Sequence, residues 1–161
     1  MSSFEKTIQV AAPVRAVYNQ WTQFESFPLF MGGVDRVVQV DDRTLDWTAT
    51  IAGQTRTWRA KITEQLPDRV IAWSSIDGAR NAGAVRFREV STDVTAVTLS
   101  LDIEPEGPLE AAGDALGLVR KQVEEDLDRF KAFIEDRGQE TGGWRGAIGG
   151  ASVITPRRPG S

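Results

Sequence analysis

At 161 residues the chain is long enough for one domain with a substantial core plus a tail. A formal net charge of −4 and a pI near 5.0 argue against a phosphate-rich partner, so no nucleic acid is expected. There is no cysteine and no histidine, which excludes disulfides, thiolate nucleophiles, Ser-His-Asp machinery and Cys/His metal sites.

In chain order, Phe4, Ile8 and Val10 alternate with Glu5, Thr7 and Gln9, which predicts a first strand over Phe4–Val10. Its leading residues, MSSFEKTIQV, lack the apolar run of a signal peptide. No stretch approaches the roughly 18 apolar residues of a membrane span. A soluble, cytoplasmic protein without stable membrane insertion is the expectation. Pro13 suits the first turn of a short helix, PVRAVYNQWTQ, in which Val14, Val17, Tyr18 and Trp21 share a side. The next run, FESFPLFMGG, gathers Phe24, Phe27, Phe30 and Met31 around Pro28. It is too interrupted for a long helix and too apolar for an exposed loop.

From Val34 the pattern has period two for about 70 residues, a length set by the strand signals themselves. It predicts strands at Val34–Val40, Thr44–Ile51, Thr55–Gln65, Arg69–Ile76, Gly83–Val90 and Val94–Ile103. The turns between them are short, so neighbouring strands should pair antiparallel. The turn Asp77–Gly83 has glycines at Walker-like separation. Ala84-Val85 stand where Lys and Ser/Thr would be needed, so it reads as a hairpin.

Leu109, Ala112, Leu116, Val119, Val123, Leu127, Phe130 and Ile134 then recur at three- and four-residue intervals, predicting one amphipathic helix over Pro108–Arg137. Such a helix spans about 45 Å, and its stripe requires a sheet as partner. Gly113 and Gly117 inside it each cost about 1 kcal/mol relative to Ala. They therefore suggest close helix–sheet packing or room for a ligand. Two domains of behaviour follow: a folded unit over 1–138 and a Gly/Pro-rich tail over 139–161, expected to be mostly disordered. Trp144 is the exception, expected either to dock back on the domain or to contact a partner.

The order β–α–α–β–β–β–β–β–β–α resembles the helix-grip fold of the START-like, or SRPBCC, superfamily. Within it, several stretches resemble the polyketide cyclase/dehydrase and coenzyme Q-binding START-like branch. These are Ala12-Pro13 with Val17 and Trp21, FESFPLFMGGV (24–34), the Trp47…Gly53…Trp58…Ile62…Glu64 spacing, IAWSSIDGARNAGAVRF (71–87) and FKAFIEDRG (130–138). The resemblance implies an α+β domain: a curved seven-stranded antiparallel sheet wrapped around a long C-terminal helix, with two short helices after strand 1. It also implies an apolar cavity between sheet and helix.

The expected ligand-binding residues are Trp21, Phe24, Phe27, Phe30, Met31, Trp47, Trp58, Trp73, Ser75, Asn81, Phe87, Leu116 and Val119. Aromatic rings with a polar handle suit a flat hydrophobic molecule such as a lipid, quinone or polyketide. The apolar run at Phe24–Met31, broken by Pro and Gly, suits a mobile gate. Arg59, Glu64, Ser75, Asn81, Arg86 and Tyr18 are polar residues that would matter to catalysis if they faced inward. No pair among them has diagnostic spacing, so no catalytic residue, metal or cofactor is assigned. The expected function is binding of a hydrophobic small molecule. The alternatives are a polyketide cyclase/aromatase or dehydrase using the same cavity, and a protein–protein regulatory module whose interior is filled by its own side chains.

Overall fold

Alternation does produce seven long strands, and their hydrogen-bonded order explains where everything else must go. The structure, a computed structural model, describes residues 2–51, 53–103, 114–149 and 152–154. The strands are β1 (Ser2–Val10), β2 (Val34–Gln39), β3 (Thr44–Ile51), β4 (Gln54–Leu66), β5 (Val70–Gly78), β6 (Asn81–Ser91) and β7 (Val94–Ile103). They form one curled sheet in the order β1-β7-β6-β5-β4-β3-β2, with every neighbouring pair antiparallel. β1 and β2 are thus opposite edges, so the chain between them must cross the concave face. It does so as α1 (Val14–Trp21) and a 3-10 helix (Phe24–Leu29), which bury Val17, Tyr18, Trp21, Phe24 and Phe27.

The long helix α2 (Asp114–Arg137) lies in the grip of this sheet. Pro108, Leu109, Ala112 and Gly113, expected to begin it, lie outside the described residues. Leu127, Phe130 and Ile134 are fully buried against the aromatic residues of α1 and the 3-10 helix. Phe130 packs edge-on to Trp21 at 4.7 Å and to Phe30 at 5.4 Å between ring centroids. Such pairs contribute about 0.5–1.5 kcal/mol each beyond their buried area. Gly117 is exposed, and a side chain there would meet open space among the described residues. Among the described residues nothing packs against it.

Polar contacts then fix α2 to both ends of the crossing. Near β1, Lys131 Nζ donates to the Gln9 carbonyl at 2.8 Å and Glu135 accepts from the Ala11 N–H at 2.7 Å. Toward β2, the buried Asp126 carboxylate accepts from the Gly32 and Gly33 N–H groups at 2.9 and 3.2 Å, and from Gln122 and Arg129. Burial pushes Asp126 above the usual carboxylate range even though four donors pull it down.

The stretch after the helix departs from expectation. Residues 139–149, expected to be disordered, form a strap across α1 that ends in a strand, β8 (Ala147–Gly149), followed by β9 (Ser152–Ile154). Thr141 exchanges hydrogen bonds with the Gln20 side chain, and the Trp144 N–H donates to Thr22 Oγ1. Ile148 pairs with Gln65 at the end of β4 and is buried, while Trp144 packs on the core. The glycines that suggested disorder serve contact instead. A side chain at Gly142 or Gly143 would strike Gln23 or Asn19, at 2.8 and 2.6 Å.

Asp126→Ala leaves two backbone N–H groups without their acceptor. It should lower unfolding free energy by about 2–3 kcal/mol in denaturant titrations, whereas Glu125→Ala, on the exposed neighbour, should change it by less than about 0.5 kcal/mol.

Candidate ligand-binding site

Burial is graded along the inside of the grip. On β3 to β7 the inward residues Leu45, Ile62, Ile71, Val85, Phe87 and Val97 are buried. Further along the same faces, Trp47, Trp58, Trp73, Ser75, Asn81 and Leu101 are only half-buried. α2 shows the same gradient: Leu127, Phe130 and Ile134 are buried, while Val119 and Val123 are half-buried. One end of the interior is thus packed shut. At the other, the inward residues of the sheet and Val119 and Val123 of α2 are half-buried.

Trp47 and Trp58 are register partners on β3 and β4, and their rings stack at 6.0 Å with 4° between planes. Both indole N–H groups are buried and have no hydrogen-bond partner among the described residues. Trp73 differs. Its Nε1 donates to Asn81 Oδ1 at 3.2 Å, while Asn81 Nδ2 donates to the Ala79 carbonyl and the Asn81 N–H to Ser75 Oγ. Ser75 and Asn81 therefore help to close the β5–β6 hairpin. That closure shortens the turn from the expected Asp77–Ala82 to Ala79-Arg80. Gly83 faces Trp73 across the hairpin, and a Cβ there would lie 2.6 Å from the Trp73 ring and 2.7 Å from the Ser100 carbonyl.

The expected site residues thus separate into two groups. Trp21, Phe24, Phe27, Phe30, Met31 and Phe87 are buried in one continuous aromatic core. The segment read as a gate has its rings inside and presents Pro28 and Leu29 outward, Leu29 being 72% exposed. Trp47, Trp58, Trp73, Ser75, Asn81 and Val119 are half-buried, and Trp47 reaches the core through Phe27 at 5.6 Å. Leu116 lies in α2, but its side chain is outside those described. Of the polar candidates, Arg59 is exposed and bound to Asp46 on the outer face, and Arg86 is exposed. Glu64 is half-buried, displaced from the inward position that simple alternation gives it. A β-bulge between Ile62 and Glu64 shifts the phase, so Gln65 is the buried residue. Among the described residues no group of three or more Asp or Glu could hold a metal ion, and no helix is long and apolar enough to cross a membrane.

Tyr18, the single tyrosine, is fully buried beside Phe87 at the shut end. Burial pushes its hydroxyl up to about 12; the nearby Gln65 amide and Arg145 guanidinium pull it down, and Asp68 raises it. Gln65 lies close enough to act on the hydroxyl, yet the two do not meet at hydrogen-bond geometry.

A curled seven-stranded antiparallel sheet holding a long C-terminal helix, with aromatic side chains lining the interior, defines the START-like, or SRPBCC, class. The sequence pattern of the family described as polyketide cyclase / dehydrase and lipid transport matches residues 10–132. The chain belongs to that family. It is 49% identical over 149 residues to an uncharacterized 17.2 kDa protein in the melC2-rnhH intergenic region of Streptomyces lincolnensis, covering 92% of this chain and 99% of that one. Among solved structures it resembles the Zhui aromatase/cyclase from Streptomyces sp. R1128, with TM-score 0.74 and 20% identity over 88% of this chain and 98% of that chain. It also resembles a START superfamily protein from Mycobacterium smegmatis, with TM-score 0.63 and 19% identity over 84% and 95% of the two chains. At these identities the two structures show a shared fold.

Two measurements check this geometry. Gly83→Val should push the Trp73 indole off β6, costing about 1–3 kcal/mol in unfolding free energy and shifting tryptophan emission. The Tyr18 phenol is favoured in the folded state, because burial holds its pKa at about 12, above the ordinary tyrosine value of 10.0. That contribution is complete below pH 10 and lost as pH rises toward 12. Near-UV titration should therefore show no phenolate until the alkaline limit, and Tyr18→Phe should flatten the loss of stability over that window.

Proposed function

We propose that the protein holds a flat, hydrophobic small molecule (a lipid, quinone or polyketide-like compound) between the Trp47–Trp58–Trp73 wall and the N-terminal half of α2. The observation that carries this reading is the pair of buried indole N–H groups on Trp47 and Trp58 that no described residue engages, placed where the interior changes from shut to half-buried. A buried donor without a partner costs about 1–3 kcal/mol. A carbonyl or phenolic oxygen on an otherwise apolar ligand would recover that cost while the rings supply contact area. The family description, which includes lipid transport, supports the same reading.

A second reading, cyclisation or dehydration of a polyketide intermediate in the same space, draws on the other half of that description and on the donor chemistry. Two preorganised N–H groups stabilise charge developing on an enolate oxygen, and confinement brings reacting carbons of a flexible chain together.

Native mass spectrometry of freshly purified protein and tryptophan quenching by an anthraquinone probe test the binding reading. Saturable quenching is expected, and Trp58→Leu should weaken it about tenfold or more, the size of one lost stacking and hydrogen-bonding contact. Absence of both a co-purified small molecule and saturable quenching by quinones or fatty acids would refute it. Conversion of a poly-β-ketone chain to an aromatic product, abolished by Trp58→Leu, would favour the cyclase reading over simple binding.

A further inference from the structure

Of the tryptophans on β3, β4 and β5, Trp73 differs in having its indole N–H engaged, while those of Trp47 and Trp58 have no partner among the described residues. The β5–β6 hairpin explains why. The Asn81 N–H donates to Ser75 Oγ at 3.1 Å, which fixes the backbone from which the Asn81 side chain leaves. Asn81 Nδ2 donates to the Ala79 carbonyl at 3.2 Å. A carbonyl oxygen only accepts, so the amide has one orientation, with Oδ1 turned to the Trp73 Nε1–H at 3.2 Å.

The far edge of the same indole is held by shape. Gly83 is the register partner of Trp73, and a Cβ on it would come within 2.6 Å of Trp73 Cζ2 and 3.0 Å of Cη2. The six-membered ring therefore lies against the backbone of β6, at a place that only glycine leaves open. One edge of the ring is tied by a hydrogen bond and the other is seated on glycine. Trp47 and Trp58 are held differently, by stacking on each other, which leaves their N–H groups unspent. A half-buried indole without such restraints samples several rotamers, and a ligand that had to order it would bind about 2- to 10-fold more weakly.

We infer that Asn81 is a positioning residue of the tryptophan-lined site: acting through Trp73, it fixes that indole flat on β6 and withdraws its N–H from the ligand. The inference rests on the binding reading above. Trp73 then supplies a ring face only, and of these indoles Trp47 and Trp58 are left to donate to a ligand oxygen.

A double-mutant cycle tests this, read by quenching of the remaining tryptophans with 2-(hydroxymethyl)anthraquinone, a neutral planar probe. Asn81→Leu preserves side-chain bulk and the backbone N–H bond to Ser75 but loses the acceptor. It should weaken the probe about fivefold, the cost of ordering one loose indole. In a Trp73→Phe background the same change should alter affinity by less than about twofold, since no indole N–H is left for Asn81 to hold. An equal loss in both backgrounds, the mark of hairpin closure alone, overturns the inference. So does unchanged affinity in Asn81→Leu with Trp73 present. Should Asn81→Leu fail to fold, Asn81→Asp decides, because it keeps the acceptor for Trp73 and loses only the donor to the Ala79 carbonyl. Affinity near that of the unaltered chain supports the positioning role, and a loss of about fivefold overturns it. A probe that binds none of these chains, the unaltered one included, refutes the binding reading itself and the positioning role with it.

Discussion

The structure depends on one contact: the wedge of Phe130 from α2 between Trp21 of α1 and Phe30 beyond the 3-10 helix. The sheet is a single layer whose concave face is apolar, and a curled sheet cannot bury that face against itself. It needs something to close on. α1 and the 3-10 helix cover one end because the chain must cross from the β1 edge to the β2 edge. α2 then locks onto the rings they present. Phe133 extends the contact to Phe30 at 4.7 Å, and Asp126 secures the backbone just before β2.

That wedge also divides the interior into a shut end and a half-buried one. The aromatic rings at the crossing are spent on one another, so they fill their end of the interior completely. The tryptophans of β3, β4 and β5 stay half-buried, as do Val119 and Val123 among the described residues of α2. A family whose description spans cyclisation, dehydration and lipid transport is consistent with such a division.

The strap gives the shut end a second layer. Its glycines let it lie close to α1 and to Gln23 just after it, and its one arginine joins α1 to the β4–β5 turn. Polar groups beside α1, Tyr18 and Gln65 among them, are enclosed there. The raised pKa of Tyr18 has the same origin: enclosure without a strong partner.

Strand positions, the two short helical segments, the long helix and their order were legible in the residues alone. Periods of two and of three to four report which side of an element is wet, and that is a local property. Trp47, Trp58 and Trp73 could be placed on inward faces for the same reason. Tertiary structure decided the rest. Whether a ring is spent in the core or left half-buried depends on what lies opposite, so Phe24, Phe27 and Phe30 could not be told from Trp58 by composition. Gln65 became the inward residue only because β4 bulges against β5, and a bulge answers to the strain of a curved sheet rather than to any residue in it. Glycine was ambiguous by nature: the same missing side chain that frees an unpaired chain permits Gly142 and Gly143 to touch α1, and only the presence of α1 selects between the two.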